Sequence, residues 1–307
     1  MPAEPAAAPS SAVVTGGAGF IGSHLVERLV AAGTRVLVVD DLSTGQASNV
    51  PPAVEFARED ITSADLQGLF ARWRPSVVFH LAAQASVPLS FQDPLRDLAV
   101  NVAGTHRVAD AAGAAGAHRL VFVSSGGAVY GETRRPASEA TVPAPSSYYG
   151  YHKLAAEGHV ALAGLPHAIA RPSNVYGPRQ AAGLEGAVVA AFIAQARVGA
   201  LQIHGDGRQT RDFIHVTDLV EALYLLATTG PSGTWNVAQG RATSIAGLAD
   251  LVEEIVGISL QRRHSPRRPG DVTSSAVAPG RLRRLGWRPR MDLHSGLRQL
   301  IESTQPS

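Results

Sequence analysis

The chain has 307 residues, of which 45% are hydrophobic, and its 27 basic and 25 acidic side chains leave a formal net charge of +2. This composition is typical of a globular chain with one large domain or two lobes that share a core. The near balance of charge leaves no basic tract for nucleic acid, and a cysteine count of 0 excludes disulfides and cysteine-based zinc sites. Because no run approaches the ~18 apolar residues of a membrane span, we expect a cytoplasmic protein with no nucleic-acid and no membrane partner.

Short apolar runs alternate with helix-length segments through the first half of the chain. The runs at 12–15, 35–40, 77–81, 120–124 and 168–171 predict buried parallel strands. Helices are predicted at 21–32, 64–73, 95–115 and 149–162. Repeated βαβ units of this kind predict an α/β fold, a Rossmann-type doubly wound parallel sheet.

A glycine-rich stretch, VVTGGAGFIGSHL, places Gly16, Gly19 and Gly22 between the first strand and the first helix. Glycines at this spacing let the backbone turn tightly and let a pyrophosphate approach the amides at the helix N-terminus. Asp40 ends the second strand 18 residues after Gly22, where a carboxylate accepts hydrogen bonds from both ribose hydroxyls of NAD and repels a 2′-phosphate. We therefore predict NAD as the cofactor. Residues at other strand ends on the same edge are expected beside it: Asp60, Ile61, Leu81, Ala82 and Ala83.

The chain resembles the extended short-chain dehydrogenase/reductase family, and within it the nucleotide-sugar epimerases and dehydratases. The motifs that carry this resemblance are, in family order, TGGAGFIGSHL, DDLSTG, HLAAQ, NVAGT, VSSGGAVYG, Tyr149-x-x-x-Lys153, NVYGPRQ, GDGRQTRDFIHVTD and RPGD, and it extends to GWRPRMDLHSGL near the end. The resemblance implies bound NAD and a UDP-sugar substrate. It adds further cofactor contacts: Phe20, Ile21, Asp41, Leu42, Ser43, Thr44, Gly45, Gln84, Asn101, Ser124, Pro172 and Val175.

The division of the chain follows the βαβ alternation. Residues 1–11, MPAEPAAAPSS, predict a disordered tail because they lack the basic and apolar regions of a signal peptide. Residues 12–174 predict the NAD-binding domain, and 175–210 with 239–307 predict a smaller C-terminal substrate-binding lobe. The segments TRDFIHVTDLVEAL and GTWNVA, within 211–238, are expected to return to the main sheet.

Lys153 is the one lysine of the chain, in the segment SSYYGYHKLAAEG. Arginine replaces lysine well on a solvated surface, but not where a compact ammonium must lie beside a phenol and a ribose. Tyr149 and Lys153 match the family's Tyr-x-x-x-Lys pair and stand one helical turn apart on one face. The resemblance implies that Tyr149 is the catalytic base and that Lys153 favours its phenolate form and holds the nicotinamide ribose.

The loop VSSGGAVYG departs from the family at one position. Aligned back from VYG, Gly126 occupies the place where the family usually carries a Ser or Thr that bonds the sugar 4-oxygen. Ser125 is the nearest candidate hydroxyl, a water is the other, and a branch of similar epimerases also carries paired glycines here.

The same loop discriminates among reactions. Gly127 and Ala128 stand where the dehydratases of the family place an Asp-Glu pair and where the decarboxylases place a Glu. Without those carboxylates, the resemblance implies NAD-dependent 4-epimerisation of a UDP-hexose through a transient 4-keto sugar. Two alternatives stay open: a nucleotide 4-keto-sugar reductase and a non-catalytic NAD-binding module.

The resemblance also implies substrate-binding residues. Asn174, Arg211 and Arg268 are expected at the diphosphate, since an arginine fork bonds two phosphate oxygens. Ser275, seven residues after Arg268, is expected near the sugar C2 substituent, where a small side chain leaves room for an N-acetyl group. The rest of the predicted substrate site is Gly126, Val188, Val189, Phe192, Gln202, Ile203, His204 and Asp271.

Histidines and helices complete the predictions. His80 and His215 lie on motif strands and are expected to be structural, and no histidine shows metal spacing with carboxylates, so no metal site is predicted.

Small apolar residues in LRDLAVNVAGTHRVADAAGAAGA and YHKLAAEGHVALAG predict a homodimer in which these two helices of each copy form a four-helix bundle.

Overall fold

A seven-stranded parallel sheet forms the centre of the computed structural model, which describes residues 8–182, 187–267 and 271–303. The strands are β1 Ser11–Thr15, β2 Arg35–Asp40, β3 Glu55–Arg58, β4 Val77–His80, β5 Arg119–Val123, β6 His167–Pro172, β7 Asn174–Tyr176, β8 Ala200–His204, β9 Thr210–His215, β10 Gly233–Val237, β11 Ala242–Ser244, β12 Gln261–Ser265 and β13 Ser274–Ser275. The main sheet has the order β10-β6-β5-β4-β1-β2-β3. This order confirms the predicted doubly wound α/β fold.

Helices cover both faces of this sheet. They are α1 Phe20–Ala31, α2 Leu66–Trp73, α3 Val87–Gln92, α4 Pro94–Leu98, α5 Thr105–Ala114, α6 Gly126–Val129, α7 Tyr148–Leu162, α8 Val188–Ala196, α9 Val216–Thr228, α10 Ile245–Val256, α11 Gly280–Arg284 and α12 Leu293–Ser303. Successive strand residues point to opposite faces, so Val14 packs in the core under α1 and α9, and Val13 in the core under α2, α5 and α7. Among the residues that the structure describes, no helix is both long and apolar enough to cross a membrane.

The helix predicted at 95–115 has a break in its regular structure. A π-helical segment, Ala99–Gly104, lies between α4 and α5. The Thr105 hydroxyl donates to the Asn101 carbonyl oxygen at 2.7 Å, which supplies a partner for a carbonyl in the widened turn. Single π turns of this kind occur often at functional sites.

The C-terminal half builds a smaller lobe from short strands. β9 pairs with β7, β11 and β13, and β8 pairs separately with β12. A third apolar core joins these strands to α8, α10 and α12, with Phe192, Leu201 and Leu248 fully covered.

Two predictions about chain organisation are wrong in detail. Ser11 is not part of a tail, because it pairs with Arg35 at the start of β1 and is only 6% exposed. The segment TRDFIH forms β9 of the small sheet and does not return to the main sheet, whereas α9 and β10 do return to it. Asp212 holds β9 in place, because its carboxylate accepts hydrogen bonds from the Gln239 and Gly240 amides at 3.1 and 2.8 Å.

Candidate active site

The carboxyl ends of β1, β2, β4, β5 and β6 lie at one edge of the parallel sheet, and the predicted cofactor residues follow these ends. Ligands of open α/β sheets bind in the crevice at this edge. Gly16 adopts a φ of +72°, and a Cβ added to it would lie 2.6 Å from the Ala82 amide nitrogen. Only glycine therefore lets the loops after β1 and β4 lie so close.

The N-terminus of α1 opens this crevice. Gly19 is its N-cap residue, and no side chain of the described residues caps the helix. The first N–H groups of a helix have no intrahelical partners, and the positive end of its dipole favours an anion. A Cβ on Gly22 would lie 2.1 Å from the Gly16 carbonyl oxygen, so the helix packs directly on the loop. These residues fit the pyrophosphate of NAD.

Asp40 lies at the end of β2 with both carboxylate oxygens in use. They accept from the Ala18 and Leu42 amides at 3.0 and 2.9 Å, and burial raises the pKa of the carboxyl. Because a carboxylate offers about four acceptor sites, it can also bond ribose hydroxyls. Leu42 has a φ of 62°, a strained conformation for a leucine that its bond to Asp40 helps to hold.

The other predicted cofactor residues have mixed environments. Asp41 accepts from the Ser43 amide and hydroxyl, in an exposed loop that continues through Thr44 and Gly45. Asp60 is exposed, but Ile61 is only 5% exposed and packs in the core, so its side chain does not face the crevice. Pro172 is buried at the end of β6. Half-buried positions at this edge are Phe20, Ile21, Leu81, Ala82, Ala83 and Val175.

The structure brings Lys153 to the end of β5, on the helix that also carries Tyr149. Ser147 caps α7, so the half-buried Tyr149 lies in the first helical turn, where the dipole favours a phenolate. Lys153 is only 3% exposed, and its Nζ donates to the Val123 carbonyl oxygen at 2.8 Å and lies 4.6 Å from the Phe122 ring centroid. Burial lowers the pKa of Lys153 to about 8. The ammonium thus occupies an apolar site with few partners.

Ser124, a predicted cofactor contact, is bonded to the helix α7. Its hydroxyl donates to Glu157 Oε1 at 2.5 Å and is therefore directed at α7. Arg171 on β6 donates to the same carboxylate from Nε and from its terminal nitrogen at 2.9 and 2.5 Å. Sequence reasoning missed Glu157 and Arg171, although an arginine at the end of an apolar strand signals a buried carboxylate partner.

Gly126 leaves little room for the family's hydroxyl side chain. A Cβ there would lie 3.0 Å from the Pro172 carbonyl oxygen and 3.0 Å from Val277 Cγ2. The Ser125 hydroxyl, the predicted replacement, accepts from the Ala128 amide at 3.3 Å as the N-cap of α6. That contact is long enough to be exchanged for a sugar oxygen.

Three residues meet beside this loop. A Cβ built on Gly127 would lie 3.7 Å from Asn174 Oδ1 and 3.7 Å from Ser275 Oγ. Ser275 is only 4% exposed, on the short strand β13. The structure thus brings together Asn174 and Ser275, which are 101 positions apart in the chain and were both predicted to bind substrate.

Arg211 and Asp271 form an ion pair with each other. Arg211 lies on β9, and its second terminal nitrogen donates to the Thr210 carbonyl oxygen at 2.8 Å. A diphosphate bound by Arg211 would therefore compete with Asp271. The third predicted residue of this group, Arg268, lies outside the described residues.

The residues predicted to line the base pocket divide into two groups. The side chains of Val189, Phe192 and Ile203 are only 1% exposed and pack in the core of the small lobe, which gives them a structural role first. Val188 is half-buried at the start of α8. Gln202 donates to the Arg263 carbonyl oxygen, and His204 bonds the Ser265 hydroxyl, so both stabilise the pairing of β8 with β12.

A buried carboxylate that the sequence did not reveal, Asp97, holds a second group of residues. Its Oδ1 accepts from Gln84 at 2.6 Å and Asn101 at 3.1 Å, and its Oδ2 lies 2.5 Å from Nδ1 of His152. Asp97 is 0% exposed. The side chains of Gln84 and Asn101, both predicted cofactor contacts, are thus fixed by α4 next to Lys153.

His80 and His215 are structural, as predicted. His80 bridges the Thr15 and Thr105 hydroxyls at 2.7 and 2.9 Å, and burial lowers its pKa to about 3. His215 bonds the Thr217 hydroxyl at 2.8 Å at the start of α9, and burial lowers its pKa to about 4. Across the parts of the chain that the structure describes, no group of three or more His, Cys, Asp or Glu residues could hold a metal ion.

Comparisons with known proteins agree with this architecture. The model of the NAD dependent epimerase/dehydratase family matches residues 12–238. UDP-glucose 4-epimerase of Mycolicibacterium smegmatis is 42% identical over an alignment of 305 residues. The alignment covers 94% of this chain and 97% of that protein. The crystal structure of Thermus thermophilus UDP-glucose 4-epimerase in complex with NAD superposes with a TM-score of 0.91 at 38% identity, over 95% of this chain and 98% of that one.

A third similar structure widens the range of relatives. It is UDP-N-acetylglucosamine 4-epimerase from Methanobrevibacter ruminantium in complex with UDP-N-acetylmuramic acid, with a TM-score of 0.89, 32% identity and coverage of 95% and 97%. The family model and the full-length relatives confirm the resemblance that the motifs carry, and with it NAD as the cofactor. The chain belongs to the NAD-dependent epimerase/dehydratase family.

Proposed function

We propose that the chain catalyses the NAD-dependent 4-epimerisation of a UDP-hexose. The observation that carries this proposal is the position of Lys153 at the end of β5, with Tyr149 one turn earlier on α7, whose Gly150 packs against a loop in which Gly127 and Ala128 supply no carboxylate. With NAD bound, oxidation and reduction at the sugar C4 need no side chain other than Tyr149 and Lys153. Elimination or decarboxylation needs an additional acid or base. The full-length similarity to UDP-glucose 4-epimerases supports the same reaction.

Each proposed step uses residues of this chain. Tyr149 accepts the proton of the sugar 4-hydroxyl and later returns it to the 4-keto oxygen, and the first turn of α7 and the Lys153 ammonium stabilise its phenolate. NAD, held by the glycine-rich loop after β1 and by Asp40, would supply the hydride acceptor and donor for C4. Arg211 holds the diphosphate after releasing Asp271 and lets the 4-keto sugar turn over about that anchor.

The test is a spectrum and an assay on the purified protein. An epimerase keeps its NAD, so addition of UDP-glucose or UDP-galactose should produce transient absorbance of reduced nicotinamide and a mixture of both sugars. A 4-keto-sugar reductase would instead consume added reduced cofactor, and a non-catalytic module would bind without turnover. Either of these results would contradict the proposal.

The sugar pocket accepts an N-acetyl group in this proposal. Ser275 is a small residue that lies beside Gly127 and Asn174, where a bulky side chain would restrict the C2 substituent, and a similar structure is a UDP-N-acetylglucosamine 4-epimerase. Ser275→Tyr should abolish turnover of UDP-N-acetylglucosamine and spare UDP-glucose. If wild type rejects the N-acetylated sugar, or the variant loses both activities equally, Ser275 is not the specificity residue.

We also propose a homodimer built from the helices at 94–114 and α7. Large apolar side chains are exposed along this surface, with Leu95 77%, Leu98 45% and Tyr151 58% accessible. A second copy that covers them would complete a four-helix bundle, since exposed apolar patches of this kind mark interfaces. A cytoplasmic location stays a prediction from the sequence.

A further inference from the structure

Three polar side chains follow one face of α7 at a spacing of four residues. They are Tyr149, Lys153 and Glu157, and the last two are 3% and 5% exposed. Residues four apart on a helix are neighbours, about 5–6 Å apart at Cβ. The proposed reaction uses the first two, and Glu157 has no assigned part in it.

Glu157 has more hydrogen bonds than a helix-packing residue needs. It accepts one from the Ser124 hydroxyl and two from Arg171, and the side chains of this ion pair are 6% and 7% exposed. A bidentate arginine fixes a buried carboxylate in position. The Glu157 carboxylate therefore stays one helical turn from Lys153.

Two adjacent residues at the end of β5 are attached to α7 through this face. Val123 accepts from Lys153 Nζ at 2.8 Å, and Ser124 donates to Glu157 at 2.5 Å. We propose that Glu157 is a positioning residue for the catalytic pair, which keeps the Lys153 amine charged and directed at the end of β5. This inference rests on the proposed epimerase function.

The charges around Lys153 support this role. Burial lowers the pKa of Lys153. Glu157 on the same helix and Asp97 on α4 both raise it. Asp97 also contacts His152. His80 on β4 stays neutral near pH 7, because burial lowers its pKa to about 3. Arg171 on β6 faces Glu157, whose carboxylate it bonds on both oxygens.

The single lysine allows a direct test that does not depend on activity. Full-length protein saturated with NAD and labelled with 13C at the lysine side chain gives one lysine ε-carbon resonance, which titrates with Lys153. Glu157→Gln keeps an acceptor for Ser124 and removes the charge. We expect its titration midpoint to lie about one pH unit below that of wild type, and an unchanged midpoint would refute the proposal.

A second variant covers the case in which an unpaired Arg171 prevents folding. The double variant Glu157→Gln/Arg171→Met removes both charges of the pair, which often restores stability. Its midpoint should stay below that of wild type. A return to the wild-type midpoint would mean that Glu157 acts only through packing with Arg171. Glu221→Gln, which breaks the exposed Arg28 ion pair, is the matched control and should leave the midpoint unchanged.

Activity gives an independent readout. In Glu157→Gln the alkaline limb of the kcat profile should move to lower pH, with kcat reduced about fivefold to tenfold at pH 8.5 and KM unchanged. A uniform loss at all pH values without movement of the limb would contradict the proposal. If the lysine titration shifts but no epimerisation is found in any variant, the proposed function fails and the positioning of Lys153 stands.

Discussion

At the residue scale, the chemistry depends on how few polar atoms surround the Lys153 ammonium. One carbonyl oxygen and one aromatic face contact it directly, and the carboxylates of Glu157 and Asp97 act on it through space. A buried amine in such a site is close to losing its proton, because water no longer stabilises the charge. The site therefore depends on charge placement more than on the number of contacts.

Lys153→Arg tests whether a compact ammonium is required. The guanidinium is larger and planar, so it cannot replace Nζ beside Val123 without displacing Tyr149 or the ribose. We expect kcat to fall at least ~100-fold while circular dichroism and the Tm stay near wild type. A variant that keeps more than about half of the wild-type activity would remove Lys153 from the proposed mechanism.

Gly126→Ser tests whether the missing hydroxyl can be restored. The new Cβ would lie 3.0 Å from the Pro172 carbonyl oxygen and 3.1 Å from that of Arg171, so the loop must shift. We expect a loss of about 1–3 kcal/mol in the free energy of unfolding, measured by urea denaturation, and no gain in kcat. Gly127→Ser is the control, since its Cβ meets nothing closer than 3.7 Å and should cost little stability.

Residue spacing explains which parts of the site the sequence could predict. Tyr149 and Lys153 stand four residues apart on one helix, so local periodicity and family resemblance were enough. Glu157 is a plain helical glutamate until β6 brings Arg171 next to it. Asp97 and His152 are separated by 55 positions, and only the fold shows their contact. Pairs of this kind cannot be found from spacing in one sequence.

At the element scale, strand and helix positions follow the apolar pattern closely, and the exceptions have local causes. The π-helical segment departs from the predicted regular helix, and periodicity does not reveal the bond from the Thr105 hydroxyl to the Asn101 carbonyl oxygen that accompanies it. The sequence of β9 predicts a buried strand of the main sheet, because the same apolar pattern suits a strand of either sheet. Its partner strands are two or three residues long and give almost no sequence signal.

Asp212→Asn tests how β9 is held. Burial raises the pKa of Asp212 from 3.8 to about 6, so the folded state favours the protonated form. The protonated Asp212 side chain therefore stabilises the folded state below pH 3.8. This contribution to the free energy of unfolding, on the order of 2–3 kcal/mol, is lost as the pH rises through 6. The difference in unfolding free energy between wild type and variant should shrink from pH 4 to pH 7. A difference that is constant or grows over this range would contradict the assignment.

At the scale of the whole molecule, the apolar surface of α4 and α7 sets the expected assembly. Leu95→Glu and Tyr151→Glu each place a charge in the proposed bundle and should give a monomer at micromolar concentration by light scattering. Val198→Glu is the control, since Val198 is 80% exposed on the other lobe and the dimer should persist. A monomeric wild type would rule out the homodimer.

Because the one lysine of the chain is buried, cleavage after lysine measures unfolding around it. A protease that cleaves only after lysine has a single possible cut site, inside α7 and covered in the folded state. Any cleavage must pass through an opening of the helix that carries the catalytic pair, and it yields two fragments of nearly equal length, 1–153 and 154–307. The yield of those fragments against time would then measure the opening free energy of this helix when reclosing is fast. Bound cofactor should slow the cut in proportion to its affinity.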